Sequence, residues 1–188
     1  MGCALYGYTV VPLYDMDKML FHIYIFYQTQ LTTCFCSSES VKSILEISQL
    51  HKLTNIVSLE ILDEQIILQI QQRGINLFYY SDLLKQGRED LKDLPKDVTP
   101  QSIFSFSYTS GTTANPLKGI PKAAMLSYRN FVSLIPSKGE IDINETDSQL
   151  CYLPLPNILQ RVFNIGCWST GRKIIFYRGY ITKLKEDI

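Results

Sequence analysis

From residue 31 to residue 86 the chain alternates short apolar runs of strand length with segments of helical periodicity. No other feature limits the possible folds so tightly. The run 31–36 is apolar and stops at Ser37-Ser38, as a buried strand does. Ser38 is placed to cap a helix whose apolar residues fall at Val41, Ile44, Leu45 and Leu50. Residues 55–59 read as the next strand, 65–72 as a helix and 77–80 as a third strand, with Ser81 capping a short helix over 82–86. Upstream, residues 9–13 are rich in β-formers up to Pro12, and the apolar stretch 16–26 reads as a buried helix. Strands spaced by helices predict an α/β fold, a mostly parallel sheet flanked by helices on both faces. A chain of 188 residues, 46% of them hydrophobic, holds enough apolar material for one such core.

Residues 87–100 change character. They are charged, carry Pro95 and Pro100, and predict a surface linker between two α/β segments. Beyond them, residues 102–108 alternate polar and apolar at a strand period. Residues 123–132 read as helical, 152–155 as a strand closed by Pro154 and Pro156, 172–177 as another strand, and 182–188 as the start of a helix.

Composition narrows the function classes. Lys and Arg total 18 and so do Asp and Glu, which disfavours a dedicated nucleic-acid binder and a disordered chain alike. The neutrality is uneven: residues 1–100 carry 8 basic against 12 acidic groups, and residues 101–188 carry 10 against 6. The split is read either as scatter among solvated side chains, which charge alone favours, or as a second half that faces something anionic. The longest apolar run, 19–27, is far below the length of a membrane span. No signal-peptide pattern precedes the five cysteines, an odd number, and free thiols in a reducing, intracellular compartment are expected. Cys34 and Cys36, two apart on a strand, should share one face. With only His22 and His51 to join the thiols, the ligand spacings of a zinc site are missing, and no metal-ligating set is assigned.

The segment Tyr108-Thr109-Ser110-Gly111-Thr112-Thr113 follows a predicted strand directly. A tight turn there exposes backbone N–H groups among four hydroxyls, and Gly111, lacking a Cβ, lets an anion approach the backbone. Lys118 and Lys122 add positive charge, so the combination suits a polyphosphate. It is not a Walker A loop: Pro116 stands where the second glycine belongs, and Lys118 is followed by Gly119.

These residues, with Gly119-Ile120-Pro121-Lys122 and Leu126-Ser127-Tyr128-Arg129-Asn130, resemble the signature of the AMP-forming acyl-CoA synthetases. Three further stretches resemble the long-chain fatty acid branch: Val11-Pro12-Leu13-Tyr14-Asp15, Tyr152-Leu153-Pro154-Leu155 through Arg161, and Gly179 through Lys183-Leu184 to Glu186-Asp187-Ile188. Order and spacing match across nearly the whole chain. The resemblance implies that residues 1–188 are an incomplete N-terminal domain of an adenylate-forming enzyme, with its C-terminal domain and the rest of the enzyme lying outside them. It implies a fatty acid–CoA ligase that uses ATP, Mg2+ and coenzyme A through an acyl-adenylate, with small molecules rather than nucleic acid as partners. Thr109, Ser110, Gly111, Thr112, Thr113 and Gly119 would cradle the ATP phosphates and Lys122 would be the loop's cation, while no catalytic residue is assigned. Lipid substrates point to the cytosol or the cytosolic face of the endoplasmic reticulum or another membrane, with room for peripheral attachment.

The departures from the pattern are specific. Residues 114–118 separate Thr113 from Gly119 where the family runs continuously. Either Ala114 replaces the glycine and Pro116 and Lys118 take the Pro-Lys roles, or Gly119-Ile120-Pro121-Lys122 continues the motif after five extra residues. The second keeps the distance from Pro-Lys to Ser127 and Asn130 and is preferred. Asn157, Gln160 and Tyr180 stand where the branch usually has His, Glu and Asp. Arg161 reads as a structural ion pair, a snorkelling surface residue or a functional group. Isolated residues 1–188 are expected to lack turnover, and the alternative is a truncated or degenerate module that binds nucleotide or protein without catalysis.

Overall fold

The structure, a computed structural model, describes residues 2–14, 19–48, 52–90, 92–93, 97–109, 121–134, 144 and 146–186. Helix α1 (Gly2–Leu5) comes first, followed by α2 (Met19–Thr29), β1 (Thr33–Cys36), α3 (Val41–Ser48) and β2 (Asn55–Ser58). Next come α4 (Glu64–Gln72), β3 (Asn76–Tyr79), α5 (Tyr80–Glu89), β4 (Ile103–Thr109) and β5 (Lys122–Ser127). Helix α6 (Tyr128–Val132), β6 (Ser148–Cys151), α7 (Ile158–Thr170), β7 (Lys173–Phe176) and a 3-10 helix (Ile181–Glu186) complete the order. Two compact units result, one of residues 15–93 with 113–121, the other of residues 1–14, 94–112 and 122–188.

The first unit carries a parallel sheet in the order β1-β2-β3. Cys34 and Cys36 are buried and Thr33 and Phe35 exposed, so the two thiols do share a face. Ile56, Val57 and Ser58 are buried on the central strand, as expected where both faces are covered. Thr33, Asn55 and Asn76 form one rung, and their side chains link it: Asn55 Nδ2 donates to Thr33 Oγ1 at 3.1 Å and Asn76 Nδ2 to Asn55 Oδ1 at 3.0 Å. Val41, Ile44 and Leu45 of α3 and Ile66 and Ile70 of α4 supply the helical side of the core. Helix α4 ends in a Schellman-type bond, Ile75 N–H to Ile70 O at 3.2 Å, with Gly74 left-handed at φ 66° where a Cβ would be strained.

Boundaries moved where local signals met competing partners. Ser38 does not cap α3; its N–H donates to the Glu60 carboxylate at 2.7 Å, and the helix begins at Val41. Leu50 lies outside the described residues. Helix α5 runs from Tyr80 to Glu89, three residues into the stretch predicted as linker, and its N-cap is Tyr79 rather than Ser81.

The second unit holds the antiparallel pair β4-β5 and the parallel pair β6-β7. The parallel pairs and the flanking helices bear out the α/β expectation, distributed over three small sheets. Of residues 9–13 only Val10 is bridged, pairing with Ser105. Of the predicted helix over 123–132 the second half forms as α6, while residues 123–127 belong to strand β5, because cross-strand pairing with β4 outweighs the helical preference of Ala123, Ala124, Met125 and Leu126. The strand predicted over 152–155 lies four residues earlier, at β6, ahead of the prolines that cannot donate to a ladder.

Candidate functional site

The last rung of the β4-β5 hairpin pairs Thr109 with Lys122. Directly opposed residues of an antiparallel pair have Cα atoms about 5 Å apart and side chains on one face. The twelve-residue connection 110–121, which contains the hydroxyl-rich segment, is therefore closed at its two ends by this rung. Both Thr109 and Lys122 are exposed. Of the site residues predicted from sequence, the structure brings these two together. Ser110, Gly111, Thr112, Thr113 and Gly119 lie outside the described residues, as do residues 114–118.

Along β4 the face that ends in Thr109 carries Ser105 and Ser107, and both serines are buried. The alternating pattern of this strand thus turns its small hydroxyls inward, and what fills the space is Arg161 from the first turn of α7. Arg161 is only 8% exposed. Its Nη1 donates to Ser105 Oγ at 2.6 Å and its Nη2 to Ser107 Oγ at 3.0 Å. Ser105 Oγ lies 2.8 Å from Val10 O, so it passes its own proton on to the neighbouring segment. The Phe131 ring centroid lies 5.8 Å from the guanidinium carbon, within cation–π range. Among the described residues Arg161 Nε has no hydrogen-bond partner, and Arg161 forms no ion pair. Burial pulls its pKa below the ordinary guanidinium value, and Tyr14 acts the other way. The surface reading of Arg161 does not survive its burial, and no carboxylate among the described residues pairs with it.

The end of the sequence signature has a structural job. Ser127 and Asn130 form a capping box at the start of α6: Ser127 N–H donates to Asn130 Oδ1 at 2.9 Å and Asn130 N–H to Ser127 Oγ at 3.3 Å. The cap fixes α6 so that Phe131 is buried beneath Arg161 and against Phe104, ring centroids 4.3 Å apart. Tyr128 meets Phe104 edge-on and hydrogen-bonds Ala4 O through its hydroxyl.

Helix α7 was not foreseen from the sequence, although its ends are marked. Asn157 is the N-cap and accepts from Leu159 N–H at 3.0 Å. Gly171 is left-handed at φ 71° and closes the helix. Gln160 is buried; its Oε1 accepts from Leu153 N–H at 3.2 Å and its Nε2 donates to Asn164 Oδ1 at 2.9 Å. A row of buried polar groups, Gln160, Arg161 and Asn164, runs through the helix. Tyr180 is 66% exposed.

The profile of one protein family, described as AMP-binding enzyme, matches residues 1–188. The chain is 26% identical over 185 residues to fatty acyl-CoA synthetase B of Dictyostelium discoideum, covering 97% of this chain and 27% of that protein. It is 30% identical over 193 residues to the peroxisomal long chain acyl-CoA synthetase 7 of Arabidopsis thaliana, covering 99% and 26%. The chain thus spans about a quarter of the length of the curated relatives it matches. Its fold superposes on the A domain of a carboxylic acid reductase from Segniliparus rugosus, solved with AMP and a co-purified carboxylic acid. That match has a TM-score of 0.77 at 18% identity, over 98% of this chain and 32% of that one.

Proposed function

The chain belongs to the AMP-binding enzyme family, and on that footing we propose that it is a section of the large domain of a long-chain fatty acid–CoA ligase. The reaction is a two-step acyl activation. A fatty acid carboxylate oxygen attacks the α-phosphorus of Mg-ATP, the bond to the bridging oxygen breaks, and pyrophosphate leaves with that electron pair. The coenzyme A thiol then attacks the acyl carbon of the adenylate, and AMP departs as the thioester forms. A carboxylate is a poor electrophile, and adenylation supplies the leaving group it lacks. Catalysis of the first step rests on positioning and on stabilising phosphate charge, so a loop of donors with a nearby cation is the part the enzyme needs.

Thr109, Ser110, Gly111, Thr112 and Thr113, with Gly119, cradle the β- and γ-phosphates, and Lys122 is the cation. The observation that carries this reading is the Thr109–Lys122 rung. It puts the only loop cation on a described strand beside the first loop hydroxyl, at the exposed end of the hairpin. Mg2+ enters on the nucleotide as part of the substrate. Of residues 87–100, the part beyond α5 serves as the linker, and it contains the division between the two units after Asp93. The small C-terminal domain and the rest of the enzyme complete the site. The lipid substrate places the work inside the cell at or near a membrane surface, although no described helix is long and apolar enough to cross one.

The test is fatty-acid-dependent exchange of labelled pyrophosphate into ATP by the polypeptide that carries residues 1–188 together with the remaining domain. Exchange that needs a long-chain acid supports the ligase; exchange indifferent to the acid, or none, removes it.

A further inference from the structure

We infer that Arg161 is a positioning residue for the nucleotide loop: its guanidinium fixes the register and facing of β4, and through the Thr109–Lys122 rung it fixes both ends of the 110–121 connection. The inference rests on the proposed phosphate-binding role of that connection.

A guanidinium is a rigid fork, and here its two tines contact alternate residues of one strand face, Ser105 and Ser107. Only residues two apart on a strand can meet such a fork together, and a slip of one residue would present Phe104 and Phe106 to it instead. The contact therefore reads strand register. Register needs fixing here, because the β4-β5 pairing shifts between Ile103 and Ser105, at the end of the hairpin away from the loop. From Ser107 to Thr109 the strand advances about 7 Å, so the loop begins one strand repeat beyond the fork.

The same node ties in the segment before β4's neighbours. Ser105 Oγ donates to Val10 O, Val10 N–H donates to Phe104 O at 3.1 Å, and Phe106 N–H donates to Val10 O at 3.0 Å. Arg161 thus joins α7, β4 and the strand-like Val10 at one buried point. The fork is also specific in a way that stability does not require: its described partners are two serine hydroxyls, and a buried guanidinium gains little over apolar residues of equal volume while imposing a geometry that they do not.

Two variants test the inference. Arg161→Lys keeps the charge and cannot bridge both serines, and Ser107→Ala removes one acceptor. Asn164→Ala, which breaks the Gln160 bond on the same helix, is the control for loss of stability alone. Mg-ATP affinity is measured by calorimetry and amide exchange by NMR or mass spectrometry. Arg161→Lys should weaken Mg-ATP binding by about tenfold and speed exchange across β4 and β5, with exchange in β1, β2 and β3 unchanged. Ser107→Ala should shift both the same way by less, and it decides the question if the lysine variant does not fold. Asn164→Ala should lower the melting temperature and leave ATP affinity within twofold. Wild-type ATP affinity in both fork variants, or an equal loss in Asn164→Ala, overturns the inference and leaves the phosphate loop standing. A wild-type protein that binds no Mg-ATP overturns the phosphate-loop reading itself, and the inference with it.

Discussion

Arg161 Nη2 lies 3.0 Å from Ser107 Oγ, two residues before the strand position that pairs with Lys122. A buried cation on a helix and the one described cation of the proposed phosphate-binding stretch are thus linked through a single strand. Removing the guanidinium leaves the buried Ser105 and Ser107 hydroxyls without their charged donor. Arg161→Met should destabilise the chain by about 2–4 kcal/mol, read as a lower midpoint in urea. Adding Ser105→Ala and Ser107→Ala should recover most of that loss, because an all-apolar cluster strands no polar group. A triple variant as unstable as Arg161→Met would show that the serines are not what the arginine serves.

Ser127 and Asn130 cap each other reciprocally. Ser127→Ala and Asn130→Ala should each cost about 1 kcal/mol, and the double variant should cost little more than either, since one device is broken in all three. Denaturant titration gives the three values. Full additivity would mean that the two residues act separately, and a large loss of ATP affinity in either variant would assign this part of the signature to ligand binding instead.

Cys34 and Cys36 face one side of β1. A hydrogen bond with Cys36 and then burial raise the Cys34 pKa well above its ordinary 9.0. The unfolded thiol ionises near its ordinary value while the folded one stays protonated, so the stabilisation is full below about pH 8 and declines as pH rises through 9 and beyond. The fall in stability between pH 7.5 and pH 10 should be shallower in Cys34→Ala than in wild type. Equal slopes would contradict the assignment. At pH 8 a thiol reagent should label exposed Cys3 promptly and reach buried Cys34, Cys36, Cys151 and Cys167 only on unfolding.

How much of this was legible from residues alone depended on whether a local pattern decided the outcome. Strand β1 and helices α3 and α4 follow from period-two and period-three-to-four burial, and each formed where the apolar residues required. Strand β5 did not, because Ala-Ala-Met-Leu is a helical tetrad until β4 offers it a ladder. The inward serines of β4 were invisible for a related reason: a polar residue at strand period reads as the solvent face unless something buried needs its hydroxyl. That something was Arg161 on α7, whose N-cap Asn157 and closing Gly171 were both readable markers of a helix. At the site, sequence placed Thr109 and Lys122 in one loop, and pairing added that they face each other across its mouth.

Titration of the chain with Mg-ATP decides whether the connection closed by Thr109 and Lys122 grips the phosphates of ATP. Binding should be submillimolar, abolished by Lys122→Ala and left within about threefold by Lys118→Ala, a loss of one well-placed charge contact against none. Absence of binding in wild type, or binding that survives Lys122→Ala and fails in Lys118→Ala, would contradict it.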